Sequence, residues 1–574
     1  MKTIYTLLLI LIAVKITGGM AWAQEETKKI SGIVINSEDE KVVPYAHIVL
    51  KGYALGTSSN QEGEFELKLP VGFFNDHNSL KVSCIGFQNQ EIGLDEIDGR
   101  PLTIILEPAL VKLNEVVVGS RKSKFLTNKA RKILEKAFKQ IHKNYPRKEY
   151  LLNTFYRHYC SENEVYGRLI EAAVDIYDPK GNKRYYELPT DKVELKVNHL
   201  RRSFDYTSKA RYRHSPISLN YVLSHDLTSY TYKNPLTEDL GIFQLYLADT
   251  TFYDNDLVYV IEFDQQSGFH SPYGKTYRGQ IFVNSDDFAI LRVESHSKFI
   301  RNNPLDTSYT VIDKTLSYQH FEDKYYIRHI ISEGRASFKK YDTLGRLEDD
   351  WNHQAHVELI TNNIHKDPVI PFEGKEPGRR ELMAIHYDSS FWDNYTVLKA
   401  TPLEEKIEKD LASRAPLQQQ FETFNIIASG GSFLLEDPEF KHIIEQNQGH
   451  VQYIVVWASW GYPNFFEIQP IKYFSTKLRN NKIKYLFISL DQDEEQWLQS
   501  RKFNQLNIPK SQHLQMPFKF NDVIARQYFN NFFPIYLLVD KKGEVFDKQA
   551  KMPSNSELKA DLKKILNRKY YQDK

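Results

Sequence analysis

The chain has 574 residues, 75 Lys+Arg against 74 Asp+Glu, a net charge of +1 and 41% apolar residues. That length exceeds one ordinary hydrophobic core, so about two to four domains are expected. Near-neutral charge without a dense Lys/Arg stripe removes the long-range attraction on which nucleic-acid binding depends, and nucleic acid is excluded as an expected partner.

In chain order, the first feature is an export signal. Lys2 is a positive n-region, and Ile4 to Val14 is an apolar run too short to span a bilayer. Ala21-Trp22-Ala23 supplies a small-x-small cleavage pattern, so residues 1–23 read as a signal peptide and the mature chain begins at Gln24. An uncleaved anchor is the alternative. No cysteine near the cleavage point supports lipid anchoring, and no later stretch is apolar enough for a membrane-spanning helix. Cys84 and Cys160 are the two cysteines, and they fall in different predicted domains. Cys84 alternates with Leu80 and Val82, the pattern of a buried structural thiol.

Residues 28–108 form short strands punctuated by turns. Ile30 to Ile35, Ala46 to Leu50, Glu64 to Leu67, Leu80 to Ile85 and Leu102 to Leu106 are the strand candidates, which predicts a small β-sandwich. Ser31-Gly32-Ile33-Val34, Pro44-Tyr45-Ala46-His47-Ile48, Gly56-Thr57, Gly63-Glu64-Phe65 and Ile85-Gly86-Phe87 together resemble the carboxypeptidase regulatory-like domain, a transthyretin-like sandwich. The resemblance implies an accessory module, also found at the front of outer-membrane transporters and envelope proteins, with no peptidase activity. Leu113 to Val118 is similar to the segment that follows this module in such transporters, and also reads as one more strand or a linker. No run of barrel strands of transporter length follows.

Residues 109–148 are read as a linker and an amphipathic helix. Ala130, Ile133, Leu134, Ala137, Phe138 and Ile141 share one face, and Tyr145-Pro146 ends it. Lys129, Arg131, Lys132, Lys136, Lys139 and Lys143 line the other face, which suits solvent or a membrane surface. Residues 149–400 read as a β-rich middle domain, an antiparallel sheet or half-open barrel. Its clearest strands are Leu257–Phe263, Gly279–Val283, Ala289–Glu294, Tyr325–Ile330 and Ala355–Ile360, with a hairpin over Tyr277–Glu294. The pattern resembles lipoprotein carriers whose curved sheet cups an apolar ligand. Phe155-Tyr156-Arg157 and Phe391-Trp392-Asp393 look like signatures of envelope proteins with the same front module, with no chemistry to assign. His353 and His356, three apart on a strand, point to opposite faces and do not form a ligand pair. His442-Ile443-Ile444-Glu445 mimics a zinc pair without a third ligand at a telling distance. No metal and no cofactor are expected.

Residues 401–424 read as a charged helical linker with Pro402 and Pro416, and residues 425–574 as alternating strands and helices. Trp457-Ala458-Ser459-Trp460, Ser489-Leu490-Asp491 with Trp497, Phe533-Pro534 before Ile535 to Asp540, and Gly543 resemble the TlpA/ResA branch of thioredoxin-like proteins. Where that family carries Cys-x-x-Cys, this chain has Gly461-Tyr462-Pro463-Asn464. Thiol–disulfide exchange needs a thiolate, so no catalytic residue is carried over. The expected fold is multidomain: an all-β sandwich, an antiparallel β-rich middle domain and an α/β thioredoxin-like fold. The expected function is an exported binding or scaffold protein of a Gram-negative envelope, periplasmic or at the periplasmic face of the outer membrane. Trp460, Gly461, Tyr462, Pro463, Asn464, Phe533 and Pro534 would dock an envelope polypeptide or outer-membrane complex. A divergent oxidoreductase that borrows a thiol, and a lipid or glycan carrier, are the alternatives.

Overall fold

The computed structural model describes residues 26–109, 124–181, 193–204, 219–224, 226–228, 235–265, 276–303, 306–366, 368–375, 381–382, 385–396, 398–413, 416–418, 420–421, 434–435, 437–458, 482–491, 493–503, 511–516 and 534–567. The export signal and Leu113 to Val118 lie outside them. The chain divides into two compact units. The first comprises Met1–His199, Ser208–Pro377 and Asp388–Asp410; the second comprises Leu200–Thr207, Gly378–Tyr387 and Leu411–Lys574. Among the described residues no helix is long and apolar enough to cross a membrane.

The first unit opens with a two-sheet sandwich. Its strands are β1 (Thr27–Asn36), β2 (His47–Leu50), β3 (Gly56–Ser58), β4 (Glu64–Pro70), β5 (Ser79–Ser83), β6 (Gln90–Gly93) and β7 (Leu102–Leu106). One sheet has the order β4-β1-β7 and the other β3-β2-β5-β6. Strict alternation sends Ile30 and Val34 of β1, and Phe65, Leu67 and Leu69 of β4, into one core with Ile48, Leu80, Val82 and Ile104. Burying each such side chain contributes about 1.5–3 kcal/mol. Gly32 pairs with both Phe65 and Leu102, so a Cβ there meets the Leu102 carbonyl oxygen and the Phe65 ring. Gly32→Val is therefore expected to cost about 1–3 kcal/mol or more through overpacking. Urea unfolding followed by far-UV circular dichroism measures this, and an unchanged midpoint would show that β7 yields freely.

The body of the unit is a ten-stranded sheet in the order β10-β9-β8-β17-β16-β15-β14-β13-β12-β11. Its members are β8 (Tyr150–Glu162), β9 (Val165–Asp178), β10 (Glu194–Arg202), β11 (Phe243–Tyr253), β12 (Asp256–Gln265), β13 (Thr276–Asn284), β14 (Ile290–Asn302), β15 (Asp306–Phe321), β16 (Lys324–Tyr341) and β17 (Leu347–His365). The hairpin expected over Tyr277–Glu294 is β13 and β14. Positive φ at Asn163 and Glu164, and again at Asp254 and Asn255, gives the two-residue connections the twist that adjacent antiparallel strands require. One long-range pairing, β17 with β8, joins the two runs of hairpins into one sheet.

Helix α1 (Lys124–Asn144) packs Ala130, Ile133, Leu134, Ala137 and Ile141 inward, as its periodicity predicts. Tyr145 Oη donates to the Ile290 carbonyl at 2.6 Å and its ring meets Tyr318 edge-on. The basic face is partly engaged within the unit: Lys136 Nζ lies 3.6 Å from the centroid of the Phe288 ring. Strand alternation sends Ser317 and Tyr318 to opposite faces, so α1 covers the Tyr318 face and the sandwich covers the other. Helix α2 (Ser389–Asn394) is capped by Asp388, and its Asp393 carbonyl accepts from Lys68 Nζ of β4 at 2.6 Å. Helix α3 (Pro402–Ala412) follows, with Pro at the first helical position.

The second unit carries a five-stranded sheet in the order β20-β19-β18-β21-β22. These are β18 (Val451–Trp457), β19 (Ile483–Ser489), β20 (Ser511–Gln515), β21 (Ile535–Val539) and β22 (Val545–Asp547). β18, β19 and β20 run parallel, and β21 and β22 are antiparallel additions. Every residue of β18 is buried because both faces are covered, which explains its unbroken apolar run. Ile454 and Val456 join one core with helix α4 (Pro438–Gln446); Tyr453, Val455 and Trp457 join the other with Trp497 of α5 (Glu494–Phe503) and Leu562 of α6 (Leu558–Leu566). Asp437 caps α4 by accepting from the Glu439 and Phe440 amides.

Candidate functional site

Of the residues expected to form a docking surface, Trp460, Gly461, Tyr462, Pro463, Asn464 and Phe533 lie outside the described residues, as does the helix expected over Phe465–Leu478. Pro534 is described, half-buried, immediately before β21. β18 ends at buried Trp457, and Leu490 donates its amide to the Trp457 carbonyl at 2.9 Å. Ser489 Oγ donates to Asp491 Oδ2 at 2.6 Å. The cysteines are both buried thiols of the first unit. Burial pushes the Cys84 thiol up to about 11, far from the range of a reactive thiolate. His442 sits exposed on α4, 2.9 Å from Gln446 Nε2, while Ile443 and Ile444 face the core.

A dense polar constellation occurs instead inside the ten-stranded sheet. The register sets Arg157 of β8 beside Glu358 of β17 and Glu171 of β9. It also sets Glu333 of β16 beside His356 of β17. Arg157 is buried; Nε donates to Glu171 Oε1 at 2.8 Å, Nη1 to Glu404 Oε1 at 2.8 Å and Nη2 to the Leu398 carbonyl at 3.0 Å. Glu404 belongs to a reciprocal cap at the start of α3. Its Oε2 accepts from the Thr401 amide at 2.7 Å, and Thr401 Oγ1 accepts from the Glu404 amide at 3.1 Å. His329 Nε2 lies 2.6 Å from Glu358 Oε1, and His356 Nδ1 is hydrogen-bonded to Glu333. The Tyr159 ring stacks on His356 at 4.5 Å.

The electrostatics follow from burial and pairing. Burial opposes the imidazolium of His356, but the nearby carboxylates of Glu333 and Glu358 overcome it and hold the group up to about 10. Burial acts against the Glu358 carboxylate too, yet His329 and His356 keep it well below the usual carboxylate range. At Glu404 burial prevails over Arg157 and the pKa is raised. His353 stacks on Trp351 instead, and burial pushes it down to about 4. The pairing in β17 is thus His356 with Glu358. Their spacing of two is the signal for a shared strand face, and a search for histidine pairs misses it.

The sandwich meets the same sheet face. A one-residue bulge at Arg328 in β16 re-aims that side chain, so that it reaches the Thr57 carbonyl and Ser58 Oγ of β3 while Nη1 donates to the Thr361 carbonyl at 2.7 Å. Burial pushes its guanidinium down to about 9. Asp254, in the turn after β11, accepts from Lys81 Nζ and Asn89 Nδ2, each at 2.5 Å. A cavity of about 40 Å³ between the layers is lined by Tyr45, His47, Ser58, Tyr253, Arg292 and Arg328, among others. Burial, then Arg328, hold His47 neutral well below its usual range.

Residues 30–118 match the family model of the CarboxypepD_reg-like domain. TonB-dependent receptor P3 of Formosa agariphila is 31% identical over 99 residues, which are 17% of this chain and 9% of that receptor. The chain therefore spans less than a tenth of that relative's length. Two solved structures are similar over about a fifth of the chain. A thiol-disulfide oxidoreductase from Bacteroides fragilis is 23% identical over 20% of this chain and 82% of its own, with a TM-score of 0.17. The thioredoxin domain of a thiol-disulfide oxidoreductase from Bacteroides vulgatus is 17% identical over 21% of this chain and 84% of its own, with a TM-score of 0.16. In the CarboxypepD_reg-like module, Tyr45 and His47 of the Pro44-to-Ile48 segment face the ten-stranded sheet; Tyr45 meets His329 edge-on at 5.7 Å. Those module residues serve as a docking face within the first unit.

Proposed function

We propose that this chain is an exported envelope protein of a Gram-negative bacterium that holds a polypeptide partner, an envelope protein or an outer-membrane complex, without redox chemistry. The observation that carries this reading is Gly461-Tyr462-Pro463-Asn464 in the sequence that follows β18. The strand order of the second unit, with parallel β18–β20 and antiparallel β21–β22, supports a thioredoxin-like domain, and the landmarks Trp457, Asp491 and Pro534 stand in the matching order along it. Both cysteines are buried in the other unit, which weighs against a borrowed thiol. The CarboxypepD_reg-like module and its likeness to a TonB-dependent receptor support the envelope. Pairing with an extended peptide at the Phe533–Pro534 segment uses main-chain hydrogen bonds and needs no sulfur.

The purified full chain is expected to give no dithiothreitol-driven insulin reduction above buffer. It is also expected to bind a carboxymethylated, permanently unfolded polypeptide, with an affinity that falls about tenfold, or about 1.4 kcal/mol, in Tyr462→Ala. Insulin turnover by the native chain removes the non-redox reading. Equal binding by both proteins removes the docking surface.

A further inference from the structure

The geometry points to a divalent transition-metal site, best suited to zinc, formed by His356, Glu358 and Glu404 inside the ten-stranded sheet. One ligand atom from each of these buried residues lies within 4.8 Å of the others. The inference is independent of the proposed docking function, because every residue belongs to the first unit.

The arrangement around His356 is what a metal-binding imidazole requires. Its Nδ1 is engaged by the Glu333 carboxylate, which fixes the ring and raises the basicity of the other nitrogen. Nε2 is buried, has no hydrogen-bond partner, and faces Glu358 Oε2 at 3.5 Å. A charge-assisted N–H···O bond closes to about 2.7–2.9 Å, and the gap of 3.5 Å is wider than that. It fits two ligands of one tetrahedral zinc, whose bonds of about 2.0–2.1 Å set ligand atoms about 3.4 Å apart. The other oxygen of Glu358 is held by His329 Nε2 at 2.6 Å, and Glu404 is held by Arg157 and the Thr401 amide. Each ligand therefore has its own outer partner. Glu404 would turn one oxygen toward the ion to complete the set.

Charge favours the same conclusion. The cluster gathers four carboxylates, Glu171, Glu333, Glu358 and Glu404. Arg157 reaches only two of them, Glu171 and Glu404. A dication bound among them would add positive charge where the carboxylates gather. The ion would tie β17 to the first turn of α3, and water would take the fourth position. The residue types match: imidazole and carboxylate suit zinc and cobalt, whereas calcium and magnesium prefer all-oxygen sites.

The test uses the full chain, stripped with chelator, and Co²⁺ or Zn²⁺ alone as the probe. Cobalt is expected to give the intense visible absorption of a four-coordinate site, displaced by one equivalent of zinc. Glu333→Gln, an outer-shell change at a partly exposed residue, is expected to weaken zinc affinity about 10–100-fold. Folded His356→Phe is expected to bind one zinc fewer than the native chain. If His356→Phe does not fold, the Glu333→Gln titration decides. Absence of the cobalt spectrum in the native chain, unchanged zinc affinity in Glu333→Gln, or unchanged stoichiometry in folded His356→Phe would overturn the site.

Discussion

In chelator-treated buffer at neutral pH, Arg157→Met is expected to lower the stability of the first unit by about 3–5 kcal/mol, the cost of stranding buried charge. The guanidinium touches two carboxylates and one carbonyl, all three contacts buried. Methionine fills much of the same volume, so packing changes little and the loss is electrostatic. Glu171 in the sheet and Glu404 in α3 both lose the guanidinium that bridges them. The sign with pH follows from Glu404, whose pKa burial already raises. Without Arg157 it rises further, the folded state holds protons the unfolded chain releases, and the deficit shrinks as pH falls toward the carboxylate range. Arg157→Met combined with Glu171→Gln and Glu404→Gln is expected to recover part of the loss, because neutral side chains carry no stranded charge. Urea denaturation at pH 7 and pH 5 reads all three effects. A single variant within about 0.5 kcal/mol of native stability would mean that solvent reaches the cluster and screens it.

The second large effect is a gain. Gly461→Cys with Asn464→Cys is expected to convert the chain into a dithiol that reduces insulin. If the second unit is thioredoxin-like, the thiol introduced at position 461 sits where a helix begins after β18, and such a position lowers a thiol pKa to about 3.5–7.5. A fall from about 8.5 to about 7 raises the thiolate fraction at pH 7 from about 3% to about 50%. Insulin precipitation should therefore begin about tenfold faster than with the native chain. A folded double variant that forms its disulfide yet matches the native rate would argue that the loop does not present the pair as a thioredoxin-like domain does. Neither Cys84 nor Cys160 should interfere, because both are buried in the first unit.

Local pattern alone determined the strands of the sandwich, the face of α1, the β13–β14 hairpin and the unbroken apolar runs of β18 and β19. Each of these depends on which neighbours within a few residues are apolar, and burial rewards that periodicity directly. The front module is likewise written in contiguous residues. Tertiary structure decided the rest. Arg157 was legible as part of Phe155-Tyr156-Arg157 but without chemistry, because its partners stand 14 and 247 residues away. The pairing of β17 with β8 brings residues near 157 beside residues near 358, and only that register turns a buried arginine, two histidines and four glutamates into one cluster. The bulge that aims Arg328 at the sandwich is equally hidden in one dimension, since it is defined by the register against the neighbouring strand. Periodicity reports which side of a strand is buried; which charges meet there depends on strand order, and that is settled by the packing of the whole sheet.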